Sequence, residues 1–160
     1  MKKLFTLLLC CMMLTGCAKS ASMPPHTTAP EETHQTIPEE NPEIAQLDKE
    51  YAMARSDAVS NVERADVNTR FAESWMKLIE EYYQLLNEVS SDNMQILLQQ
   101  DKEQWILYSQ GQIELEHARL DAVYGSGTIV PVLLSEFTYE LNREKAVALI
   151  EMYEQMCSLK

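Results

Sequence analysis

Between Glu43 and Lys160 the chain has one proline, Pro131, and three glycines, Gly111, Gly125 and Gly127. So few turn formers exclude an all-β fold, which needs many tight hairpin reversals. Cations are also scarce: 13 Lys and Arg face 25 Asp and Glu, giving a formal charge of −12, and no Lys/Arg cluster exists outside Lys2-Lys3. Phosphate contacts need a cationic surface, so nucleic acid is excluded as the expected partner and a basic protein is favoured. Enzyme signatures are missing too. There is no phosphate-binding glycine loop, no Cys-x-x-Cys, no His-Glu-x-x-His and no serine elbow. The expectation is a non-enzyme with no cofactor and no metal.

The one long apolar run is Leu4 to Leu14, behind the basic Met1-Lys2-Lys3 and directly before Leu14-Thr15-Gly16-Cys17. It is shorter than the roughly 20 residues of a spanning helix and reads as an export signal, 1–16. A cysteine directly after a small residue at the cleavage point resembles a bacterial lipobox. Cleavage between Gly16 and Cys17, acylation of Cys17 (diacylglycerol, palmitate) and an extracytoplasmic position on the bacterial cell membrane or outer membrane are expected. Cys10 and Cys11 leave with the leader, so Cys157 is the one free thiol of the mature chain and no internal disulfide forms. It is expected as a half-buried apolar side chain on a last helical turn.

Five of six prolines fall within 18–42, among Thr, Ser, Glu and His. Residues 17–42 therefore read as a lipidated cysteine and a disordered tether with a reach of about 75 Å at ~3.1 Å per residue. His26 and His34 there are too sparse for a metal site.

Residues 43–160 predict an all-α domain, a small antiparallel bundle of about four helices. Asn41-Pro42 looks like a cap followed by proline at the first helical position. Ile44, Leu47, Tyr51, Ala54, Ala58, Val62 and Ala65 then recur at spacings of three and four. Asp66 to Thr69 offers a break or recapping point, after which Phe71, Trp75, Leu78, Tyr82, Leu85 and Val89 mark a second helix or a continuation of the first. Ser90-Ser91-Asp92-Asn93 should cap a third helix running through Gly111 to Tyr124, with Ile106, Ile113 and Leu120 a heptad apart. Gly125-Ser126-Gly127-Thr128 should end it, with Thr128 capping a fourth helix whose apolar side is Leu134, Phe137, Leu141, Ala148 and Met152. The aromatics Trp75, Tyr82, Trp105, Tyr108, Phe137 and Tyr139 are expected mainly in the core.

Three polar groupings invite functional readings. Glu114, His117 and Asp121 share a helix face, as a metal or acid–base site or as surface ion pairing. Glu136, Glu140 and Glu144 form an acidic stripe. Gly125-Ser126-Gly127-Thr128 is either a plain connection or a small polar loop that enters a partner's cleft.

From about Leu97 to Tyr153 the chain resembles the LprI-type lysozyme-inhibitor family of bacterial envelope proteins. The resemblance lies in Leu98 to Tyr108 with Trp105, in the turn through Thr128 with Pro131-Val132-Leu133, and in Leu141-Asn142-Arg143-Glu144-Lys145. More weakly it extends to Glu81-Tyr82-Tyr83-Gln84-Leu85-Leu86. It implies packing roles for Trp105, Tyr108, Pro131, Leu141 and Arg143. Ile113 and Phe137 stand where family members carry cysteines, so an apolar pair would replace a bridge, and Ser109 stands where they carry an arginine. The function it implies is a membrane-anchored binding protein for a cationic muramidase. The alternative is a structural or adaptor lipoprotein that binds another envelope protein through an acidic helical surface.

Overall fold

The computed structural model describes residues 41–159; the expected leader, the Gly16-Cys17 processing site and the tether up to residue 40 lie outside the described residues. Within them the chain is all-α, as its turn-poor composition requires. It forms α1 (Pro42–Asp57), α2 (Asn61–Val89), α3 (Asp92–Tyr124) and α4 (Val130–Ser158). Asn41 caps α1 by accepting from the Glu43 and Ile44 amides, and Pro42 occupies the first turn, where its missing N–H costs nothing.

Consecutive helices are antiparallel, and the most extensive pair is the parallel one, α2 with α4. Side-chain bonds fix their register: Asn68 donates to the Val132 carbonyl and the Ser135 hydroxyl, and Asn142 donates to the Ala72 carbonyl. α1 joins this spine through Tyr82 donating to Glu43, Tyr51 donating to Asn68 and the Asp48–Arg143 ion pair. α3 joins it through Tyr83 and Lys145, which both donate to Asp101, and through the Lys102–Glu80 pair. The core between them includes Phe71, Trp75, Ile79, Leu86, Leu149 and Ile150, with Trp75 fully buried. Each such side chain withdrawn from water contributes roughly 1.5–3 kcal/mol.

Several local expectations need correction. The first break falls at Ala58 to Ser60 and not at Asp66 to Thr69, and Val62 is exposed. A capping box sets it: Ser60 Oγ accepts from the Glu63 amide, and the Glu63 carboxylate accepts from the Val59 and Ser60 amides. These bonds hold the Glu63 carboxyl below its ordinary value. Asn68, within the expected break, instead turns inward as part of α2.

The buried face of α4 is Val132, Tyr139, Asn142, Ala146, Leu149 and Ile150, whereas Ala148 and Met152 are exposed and Leu134, Phe137 and Leu141 only half-buried. Ser91 makes no capping side-chain bond at the start of α3, and Thr128 does not cap α4, which Ile129 precedes in helical geometry. Cys157 is exposed on the last turn of α4.

Candidate functional site

Three features are built by this packing: a polar node between α2, α3 and α4, an apolar groove between the same helices, and a tip where two chain reversals meet. In the node, Tyr83 Oη donates to Asp101 at 2.5 Å and Lys145 Nζ to the same oxygen at 2.6 Å. Lys145 also lies 5.4 Å from the Tyr83 ring centre and 5.6 Å from that of Trp105. Burial pushes the Tyr83 hydroxyl well above its ordinary range, and its bond to the Asp101 carboxylate adds to the rise. Burial pushes Asp101 up as well, but the bonds from Lys145 and Tyr83 together outweigh it and the carboxyl titrates low. Each charge in it has its counter-charge, and the bonds tie α3 to α2 and α4.

A second ion pair, Arg143 with Asp48, links α1 to α4. Arg143 Nε bonds Asp48 at 2.7 Å, Tyr139 donates to the same carboxylate at 3.3 Å, and the guanidinium lies 5.7 Å from the Trp75 ring centre. Those bonds raise the guanidinium's proton affinity further. Arg143 thus ties α4 to α1 by charge and lies against the Trp75 ring.

The groove encloses about 440 Å³ and is mainly apolar. Its walls are Thr69, Ala72, Glu73 and Met76 of α2, Ile113 of α3, and Pro131, Leu134, Ser135, Thr138 and Asn142 of α4. Asn142 brings a buried amide oxygen that has no hydrogen-bond partner. Phe137 is not among these walls, so the groove does not set it against Ile113.

The tip lies at the end of the bundle where α1 passes into α2 and α3 into α4. Asn61 Nδ2 donates to Thr128 Oγ1 at 3.4 Å and ties the two reversals together. Gly125 closes α3 with φ of 62°, its amide donating to the Asp121 carbonyl at 2.9 Å. Only glycine adopts that backbone freely. Gly125, Ser126 and Thr128 are exposed, and on the flanking chain so are Val59, Val62, Val123 and Tyr124. A hydroxyl-bearing loop among exposed apolar side chains is suited to a partner's concave surface. Composition alone identified the loop; Val59 and Val62 were missed because the first break was expected eight residues too late.

The remaining sequence-derived candidates scatter. Trp105 and Leu141 are half-buried, Tyr108 is exposed, contrary to the expected core position, and Pro131 is exposed in the first turn of α4. Ser109 is buried and donates to the Ile106 carbonyl at 3.1 Å. His117 Nδ1 lies 3.5 Å from an Asp121 carboxylate oxygen, both half in water, and no group of three or more His, Cys, Asp or Glu among the described residues forms a metal site. Glu136, Glu140 and Glu144 do share one flank of α4. Burial raises the Glu140 carboxyl, and Glu136, Glu144 and Asp48 raise it further against the opposing pull of Arg143.

Fold and surfaces define an all-α domain of four helices with a polar, glycine-containing tip. Among the described residues no helix is long and apolar enough to cross a membrane. No family model, curated protein or solved structure matches the chain.

Proposed function

We propose that the protein is a membrane-anchored, extracytoplasmic binding module, similar to the LprI-type lysozyme inhibitors, that engages a cationic muramidase and does no chemistry of its own. The tip carries this reading. A short glycine-serine-glycine-threonine loop presents backbone and hydroxyl groups, and Val59, Val62 and Tyr124 surround it with apolar area. A muramidase cleft is a groove lined by carboxylates and sugar-binding surfaces, which such a loop can plug by donating hydrogen bonds. Without the two leader lysines the formal charge is −14, which steers a basic enzyme toward the module over distances set by ionic strength. Ser109, buried where the family has an arginine, makes no outward contact, so recognition rests on the tip. The anchor is Cys17, outside the described residues.

The test is clearing of a cell-wall suspension by lysozyme with and without residues 41–160. Protection at a small molar excess is expected, weakening with added salt and lost on Ser126→Glu, which sets a carboxylate against those of the cleft and, at an exposed position, disturbs no buried contact. Undiminished clearing at large excess refutes the reading.

A further inference from the structure

α3 is 33 residues long and, at 1.5 Å per residue, about 50 Å from end to end. Only Leu98, Ser109 and Leu120 of it are buried. On its outer flank, Leu97, Gln104, Tyr108, Gly111, Leu115 and Ala122 follow at steps of seven, four, three, four and seven, and Ala118 fills the last gap. Steps alternating between three and four draw a straight line along a helix, and nearly four heptads of it are present. The whole line is exposed: Leu97 58%, Tyr108 54%, Leu115 65%, with Leu107 beside it at 71%. From Tyr108 to Ala122, about 21 Å, the line carries no charged or amide side chain, which is more than the scattered single leucine of an ordinary surface, and Leu97 lies beyond Gln104 and Asp101.

We infer that this line is the seam of a parallel, in-register dimer with a second copy of the chain. Its charges choose the partner and the direction. In a parallel pair the residue preceding a seam position faces the residue five further on in the other helix, which sets Glu114 against Arg119 of the second copy, twice by symmetry. An antiparallel pair sets Glu114 against Leu107 and Asp121 against Gln100, and the carboxylates gain no cation. Arg119 is free to serve. It is exposed and spends two of its five donors on Glu116.

Side-chain size fits as well. A Cβ at Gly111 meets nothing within 4 Å, so the neighbouring backbone can approach there while Tyr108 and Leu115 fill the spaces on either side. Asp101 also falls on the line, but its carboxylate is held by Lys145 and Tyr83 within its own bundle. With Gln104 and Asp101 in the seam the association is weak and reversible.

The experiment is site-directed cysteine cross-linking of the full chain in the membranes of an expressing cell, under brief mild oxidation, read on non-reducing gels. The parent chain's own cysteines, including exposed Cys157, set the background. Tyr108→Cys and Leu115→Cys are expected to give homodimer several-fold above the parent, and Gln110→Cys on another exposed face to stay at its level. Glu114→Arg in the Leu115→Cys chain should lower the yield several-fold, and adding Arg119→Glu should restore it. Equal cross-linking at 110 and 115 overturns the seam. A double charge swap that fails to recover the yield, in chains of unchanged helical circular dichroism, overturns the parallel pairing.

Discussion

Asn68 and Asn142 are both buried asparagines on the α2–α4 contact, and their replacement by leucine should give opposite results. Asn68 has both donors and its oxygen engaged: Tyr51 Oη donates to its oxygen at 3.0 Å, and its nitrogen donates to the Val132 carbonyl and Ser135 Oγ, each at 3.2 Å. Leucine keeps the volume and removes three bonds, each with a net contribution of about 0.5–1.5 kcal/mol, and strands the Tyr51 hydroxyl. A loss of about 2–4 kcal/mol follows, after the gain from extra apolar burial is subtracted. Asn142 makes one bond, to the Ala72 carbonyl at 3.0 Å, and buries an oxygen with no partner. Leucine there gives up about 1 kcal/mol and recovers the roughly 1–3 kcal/mol cost of that orphan acceptor. The net change lies between zero and mild stabilisation. Urea unfolding followed at 222 nm separates the two, because with a slope of about 1–3 kcal/mol per molar the midpoints differ by about 1 M or more. Equal midpoints, or a larger loss at Asn142 than at Asn68, refute the assignment of polar satisfaction to the α2–α4 contact.

Gly125→Ala should cost about 1–3 kcal/mol, since φ of 62° with ψ of −151° is backbone reserved for glycine. Gly111→Ala, in open space inside a helix, should instead raise the melting temperature, worth about 0.5–1 kcal/mol; differential scanning calorimetry reads both. Asp48→Asn, which removes the charge from the bond to Arg143 and leaves that guanidinium half-buried, should destabilise by about 1–3 kcal/mol in chemical denaturation. Glu140→Gln should stabilise by a few tenths of a kcal/mol at pH 7. The sign follows from the raised carboxyl: the folded state disfavours its charge, so that penalty is present at neutral pH. It fades as the pH falls below the unfolded carboxylate value of about 4.3, where both states are protonated and the two chains should unfold alike.

The number of helices and most of their ends were legible because they depend on local chemistry. Asn41-Pro42 begins α1, and Gly125 ends α3 through the one backbone geometry that punishes a Cβ. The first break was legible too, in Ser60-x-x-Glu63, a capping box written in the sequence; Asp66 to Thr69 drew attention because it is richer in capping side chains. What composition hides is that Asn68 spends its amide across the bundle instead of on its own helix. The same holds for α4. Its apolar residues nearly encircle it, so periodicity admits two stripes, and the choice falls to the one centred on Asn142 because its amide reaches the Ala72 carbonyl. α3 shows the converse limit. Its heptads were visible, and Leu120 of the expected series is buried, but Ile106, Tyr108 and Leu115 are exposed. A pattern of apolar side chains records that a face will be covered, not by which chain.

That ambiguity bears on how the two proposed surfaces fit one molecule. Asn41, where the described chain begins, donates to Glu154 near the C-terminal end of α4, whereas the tip lies where α4 starts. The chain therefore enters at one end of the bundle and the tip stands at the other, about 40 Å away along α2 and α4. A seam ending at Ala122 stops short of Gly125 and leaves the tip loop free. Parallel pairing then keeps both entering chains at one end and both tips at the other, so two loops face the same direction from one pair. A target carrying two accessible sites, or packed densely on a wall, would meet a second loop at raised effective concentration. Loss of the dimer through Glu114→Arg should accordingly weaken binding to an immobilised target far more than binding to the same target in dilute solution, while Ser126→Glu weakens both alike.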